Sequence, residues 1–175
     1  MVSPFFVLYS EYCRSQTRRR VTGFAGEWPS MHTQDSIYRV QRRYLTALPA
    51  GQDLIAGLEA VCARNSIATA VFSLIGTASV LTIGTYDQHQ QVYVTRRKEG
   101  FFEILNCTGN ISRSGEAFQI NARIMAADLD GRVWGGTLFP ECRLFAGELD
   151  LQELSGAMIS RKYDPRTGLM LWPQG

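Results

Sequence analysis

The chain has 175 residues, 45% hydrophobic and 19% charged, with a formal net charge of +2. That length gives one domain with a full hydrophobic core, and the small net charge does not argue for nucleic acid. No run nears the ~20 apolar residues of a membrane-spanning helix.

Residues 1–35 show neither a helical nor a strand period. "SQTRRRVTGFAGEWPSM" mixes Gly, Ser, Pro and Arg and reads as a flexible extension. Residues 1–45 hold seven arginines against Glu11, Glu27 and Asp35, whereas the rest of the chain carries eleven basic and thirteen acidic groups. The basic character therefore belongs to the N-terminal segment. Met31 stands just before the first convincing strand, so the upstream residues read first as an overlong gene reading. The other reading is a basic arm whose Arg18, Arg19 and Arg20 touch phosphates, although "TRRR" lacks the Gly-Arg-Pro core of an AT-hook. The opening "MVSPFFVLYS" has no basic n-region, which leaves the cytoplasm as the default.

Residues 36–175 read as the domain. "IYRVQRRYLTAL" alternates as a half-exposed strand. "LPAGQDLIAGLEAVCARNSI" then switches to a helical period, with Leu54, Ile55, Leu58, Val61 and Cys62 on one stripe and Asn65 as its stop. Eight strand-like runs follow: "TAVFSLIG", "SVLTIGTYD", "QVYVTRR", "FFEILNCTGNI", "AFQINARIMA", "RVWGGTLF", "RLFAGELDLQEL" and "MISRKYD". One helix against many strands predicts an α+β fold, a mixed or antiparallel sheet packed on one main helix.

Residues suited to catalysis are scarce. His32 and His89 are the sole histidines, and His89 lies in the polar turn "DQHQQ". There is no G-x-S-x-G elbow, no G-x-G-x-x-G and no Walker pattern. Cys13, Cys62, Cys107 and Cys142 are widely spaced without a CxxC pair, which argues against a zinc knuckle, and Cys62 and Cys107 in their apolar surroundings read as buried thiols. Asp128 and Asp130 of "DLDG" flank a tight turn and serve its geometry. In "FQINARIMAADLDGRVWGGTL", Asn121 and Arg123 share a strand face, and Thr137 lies on the returning strand after two glycines.

Several segments resemble the PPC domain of plants and prokaryotes, found beside AT-hooks in plants. They are "LPAGQDLIAGLEAVCARNSIATAVFSLIGTASVLTIGTYD", "EGFFEILNCTGNIS", "DLDGRVWGGTL" and "FAGELDLQEL". The resemblance runs from about Tyr38 to Trp172 and includes the G-x-F-E-I-L hexapeptide at Gly100, Phe101, Phe102, Glu103, Ile104 and Leu105. It implies the α+β fold above, assembled as a homotrimer, with the hexapeptide as a contact motif. Many prokaryotic members carry H-x-H before the turn and G-G-H after it, a three-histidine metal site. Those positions are Asn121, Arg123 and Thr137 here, so no metal and no cofactor is expected. The three-histidine chemistry of the structurally related acetolactate decarboxylase loses its residues in the same way.

The leading reading is thus a non-enzymatic, trimeric PPC-domain protein that acts by binding, with DNA association or transcription as its setting and itself, DNA or another protein as partner. The rival is a small-molecule (anion) binder, or a metal-independent enzyme, with a pocket around Arg123. Arg123 would there replace a cation by a fixed positive charge, unless it pairs with Glu148 or Glu103.

Overall fold

A computed structural model describes residues 36–172. The extension, Arg18, Arg19, Arg20 and the choice of Met31 as start lie outside the described residues. In chain order the elements are β1 (Arg39–Leu48), α1 (Leu54–Arg64), β2 (Ala70–Asp87), β3 (Val92–Ser114), β4 (Ala117–Ala127), β5 (Val133–Leu138), β6 (Arg143–Ser155), β7 (Lys162–Asp164) and β8 (Leu169–Leu171).

Helix α1 begins where Asp53 supplies the cap. Its Oδ1 accepts from the Ala56 amide at 3.0 Å, satisfying one of the unpaired first-turn N–H groups. Its Oδ2 accepts from the Cys142 amide at 3.0 Å, so one carboxylate both starts the helix and ties it to the start of β6. Asn65 ends the helix, its side-chain amide donating to the Val61 carbonyl at 2.8 Å. The stripe Leu54, Leu58, Val61 and Cys62 is buried in one core with Leu74, Leu144 and Leu151. At about 25 cal/mol per Å2 of apolar surface removed from water, this burial is what holds so short a helix in place.

The strands form one sheet in the order β1-β6-β2-β3-β4-β5, and every described pairing is antiparallel. β5 pairs with β4 and also with β2, through Ile83–Leu138 and Gly84–Thr137. The ring β2-β3-β4-β5 is therefore a small closed barrel, with β6 and then β1 extending from β2. This refines the α+β expectation: the antiparallel sheet and its one packed helix are there, but the domain is mostly β and four of the strands close into a barrel. The β2–β5 contact is close because Gly136 has no side chain; a Cβ there would stand 2.7 Å from the Gly84 carbonyl oxygen.

Four of the separate runs read from the sequence are two long strands. "TAVFSLIG" and "SVLTIGTYD" join as β2, and "QVYVTRR" and "FFEILNCTGNI" join as β3. Register shifts at Leu74/Gly76 and Ala78/Val80 bend β2 without ending it. A bulge adds an unpaired residue and interrupts alternation, so each long strand looks like two in the sequence. "MISRKYD" shrinks to the three residues of β7.

The edge strand β1 is held by charge as well as backbone. Arg42 pairs with Glu153, which is 8% exposed, and Arg43 forks onto Asp150 at 2.7 and 2.9 Å. Two of the seven arginines counted in the N-terminal segment are thus engaged by β6.

Candidate functional site

The two strands around the Asp-Gly turn bring the expected residues together. Arg123 on β4 lies directly opposite Thr137 on β5, and cross-strand partners project to the same face. Asn121 is two residues earlier on that face, and its Oδ1 accepts a hydrogen bond from an Arg123 terminal nitrogen at 2.7 Å. The same nitrogen donates to the Ala122 carbonyl at 3.1 Å. Arg123 pairs with neither Glu148 nor Glu103, the two acids the sequence offered it.

Pairing between β4 and β5 ends at Arg123, so β5 leaves the edge of β4 from Ala117 to Ala122 uncovered. A cleft of about 540 Å3 opens there, a size typical of small-molecule sites. Asn121, Arg123 and Thr137 line it, with Ile55 and Glu59 from α1, Phe118 and Leu138 from the strands, and Arg161 with Leu169–Leu171 from the C-terminal segment.

Arg161 is the residue that sequence reasoning missed. One terminal nitrogen donates to Asn110 Oδ1 at 2.7 Å, and the other to the Met170 carbonyl at 3.1 Å. Its guanidinium lies 5.0 Å from the Trp172 ring centroid. Burial lowers its pKa, and the Arg123 charge lowers it further. Among the described residues, neither Arg123 nor Arg161 has a carboxylate within salt-bridge distance.

This donor set does not fit a metal. The amide oxygen of Asn121 is taken up by Arg123, and a guanidinium repels a cation from the position where a third ligand would be needed. No group of three His, Cys, Asp or Glu among the described residues could hold one elsewhere.

Asp128 serves the turn. It accepts from the amides of Asp130 and Arg132 at 3.0 and 2.9 Å and from the Trp134 indole N–H at 2.9 Å. Those bonds, the indole first, hold its pKa below 3.8. The described thiols are inert: burial pushes Cys62 up to about 11 and Cys107 and Cys142 up to about 12. In the hexapeptide, Phe102 and Ile104 are core residues, while Phe101, Glu103 and Leu105 are exposed. Gly100 has a φ of +149°, and a Cβ there would meet nothing closer than 3.7 Å.

A small closed β-barrel with two added strands, one packed helix and an open polar cleft defines the class of domain. The chain belongs to the Plants and Prokaryotes Conserved (PCC) domain family, which matches residues 36–155. It resembles a plant- and prokaryote-conserved (PPC) protein from Pyrococcus horikoshii, with TM-score 0.74 and 30% identity over 79% of this chain and 95% of that one. A metal-containing protein from Archaeoglobus fulgidus superposes with TM-score 0.76 and 32% identity, covering 81% of this chain and 99% of that one. A candidate DNA-binding protein from Bacteroides thetaiotaomicron gives TM-score 0.70 and 25% identity over 79% and 97% of the two chains. The bifunctional protein GlmU of a Synechococcus strain is 31% identical over 131 residues, 74% of this chain. This chain spans only 20% of that protein's length. No helix among the described residues is long and apolar enough to cross a membrane.

Proposed function

We propose that this PPC-domain protein acts by binding, and that its working site is the Arg123 cleft, which takes a small anionic ligand. The observation that carries this reading is the pair Arg123 and Arg161 lining one cleft with no carboxylate on either among the described residues. Neighbouring guanidiniums repel, and an anion between them would offset both the repulsion and the desolvation of Arg161. Covalent catalysis lacks support. The cleft offers no histidine or cysteine, and its sole carboxylate is Glu59.

Titration calorimetry with phenyl phosphate tests this reading. The protein should bind one equivalent per chain, and Arg123→Gln should weaken binding roughly tenfold to a hundredfold, the worth of a hydrogen bond to a charged group. No heat of binding, or an unchanged affinity in the variant, would overturn it.

A second reading, DNA association, is favoured by the name of the Bacteroides neighbour. The arginine-rich segment before β2 supports it less than its composition suggests, because Arg42 and Arg43 are already paired. Its signature in the same preparation would be retention of duplex DNA on a filter with a steep salt dependence, lost on removing residues 1–30.

The described chain also leaves an apolar surface that a homotrimer would cover. Ile75, Phe101, Leu105, Met125 and Phe145 are all exposed on the adjoining strands β2, β3, β4 and β6. Exposed apolar side chains on neighbouring strands support an interface there, and closed cyclic symmetry would bury them without open-ended pairing.

A further inference from the structure

The family match ends at residue 155, and the folded chain continues to Trp172. Residues 156–172 are stitched to the barrel at several points. The Tyr38 hydroxyl donates to the Ala157 carbonyl at 2.6 Å, and the Ser160 hydroxyl to that of Arg113 at 3.2 Å. The Tyr86 hydroxyl and Gln91 side-chain amide donate to the carbonyls of Thr167 and Arg166 at 2.5 and 3.0 Å. The hairpin β7–β8 turns where the Thr167 and Gly168 amides donate to the Asp164 carbonyl, so its shape is set locally.

We propose that this C-terminal segment converts the open edge of β4 into a site for an oxyanion borne on an apolar body, a carboxylate or phosphate monoester, with Arg161 as its second anion-binding residue. The inference rests on the anion-binding reading above and goes further by assigning the ligand class and the segment that selects it.

Three observations carry it. First, Arg161 is placed in advance. Asn110, which holds its guanidinium, is the cross-strand partner of Asn121, and Thr108 is that of Arg123, so Arg161 reaches the face that bears both. A guanidinium fixed by two hydrogen bonds and an aromatic ring loses little freedom on meeting a ligand. Second, hydrogen-bonding capacity is left over. Nε of Arg161 is a buried donor with no acceptor, and Oε1 of Gln119, also lining the cleft, is a buried acceptor with no donor. Buried groups without partners are costly. With a small side-chain shift an oxyanion of either kind would satisfy Nε, and the protonated oxygen of a phosphate monoester would serve Gln119 as well. Third, much of the rest of the wall is apolar, with Ile55, Phe118, Leu138 and Phe139 before residue 155 and Leu169 and Leu171 from the segment, while Glu59 is its one carboxylate. A bare inorganic ion would leave that wall wet, whereas an aryl or alkyl group would cover it.

The test compares phenyl phosphate, benzoate and inorganic phosphate by titration calorimetry on the full chain and on Arg161→Gln, Arg161→Lys and Arg123→Gln. The aromatic anions should bind more tightly than inorganic phosphate. Arg161→Gln should weaken them roughly tenfold or more, with Arg161→Lys between, because a lysine keeps charge but not the fork. If phenyl phosphate binds the parent chain and Arg123→Gln abolishes it while Arg161→Gln does not, the segment has no part in the site and this inference falls, with the anion reading intact. If no anion binds the parent chain, both fall. Should Arg161→Gln not fold, phenylglyoxal modification of the parent chain decides instead. Protection of Arg161 by phenyl phosphate, read by peptide mass, supports the assignment, and equal modification with and without it overturns the assignment.

Discussion

Asp128 shows how a carboxylate in a suggestive position can be fully occupied by structure. Three donors converge on it, and they favour its charged form, so its pKa lies below 3.8 when folded. A depressed carboxylate contributes stability that is complete above the unfolded value and is lost as pH falls through the folded one. Melting curves taken from neutral pH into acid below 3.8 should therefore show a smaller acid loss for Asp128→Asn than for the parent chain. Equal acid losses would show that the turn does not depend on this charge. The constellation Asn121, Arg123 and Thr137 was legible at this scale, because strand alternation and an Asp-Gly turn fix which side chains return to the same face. Arg161 was not. It comes from "MISRKYD", which reads only as one more short strand, and its partner Asn110 is 51 residues away. Only the folded chain shows that contact.

At the scale of elements, helix α1 and strands β1 and β6 were readable from periodicity and from Asn65 as a stop. β2 and β3 were not readable as single strands, and Gly76 shows why. It sits at a register shift with a φ of +150°, and a Cβ there would lie 2.2 Å from the Ala146 carbonyl oxygen and 2.9 Å from Gly147 Cα. The glycine at which the run "TAVFSLIG" ends is the one that lets β6 approach β2 at its bend. Gly76→Ala should cost about 3 kcal/mol in denaturant unfolding, from backbone strain and overpacking together. Gly131→Ala is the control, since its φ of +77° carries strain but its Cβ would meet nothing within 4 Å; about 1 kcal/mol is expected. Equal losses in the two variants would mean that the close approach at Gly76 does not matter.

For the whole molecule, the proposed trimer gives Glu103 its meaning. It stands on β3 between the exposed Phe101 and Leu105 and makes no ion pair among the described residues. If another subunit supplies its partner, Glu103→Gln should weaken the assembly by about 3–5 kcal/mol, the cost of stranding one member of a buried pair. A merely exposed Glu103 would give under ~0.5 kcal/mol. Sedimentation at micromolar concentration and unfolding of the variant measure this, and a stable monomer in the parent chain would remove the trimer itself. The closed barrel was not foreseen because it depends on β5 pairing at both edges, a property of register and not of composition.

The pairing of β1 with β6 carries a consequence for how the protein is made. Leu48 meets Gly147, and Arg39 meets Ser155, across a gap of roughly a hundred residues, so the loop is closed late and at an entropic cost. β2 likewise needs β6 on one side while β3 forms a hairpin with it on the other. During synthesis the barrel strands can assemble by neighbouring hairpins, but β1 cannot complete its pairing until Ser155 has left the ribosome. The first strand made is therefore among the last to be seated, and Glu153, third from the end of β6, arrives to neutralise an arginine that was translated more than a hundred residues before it.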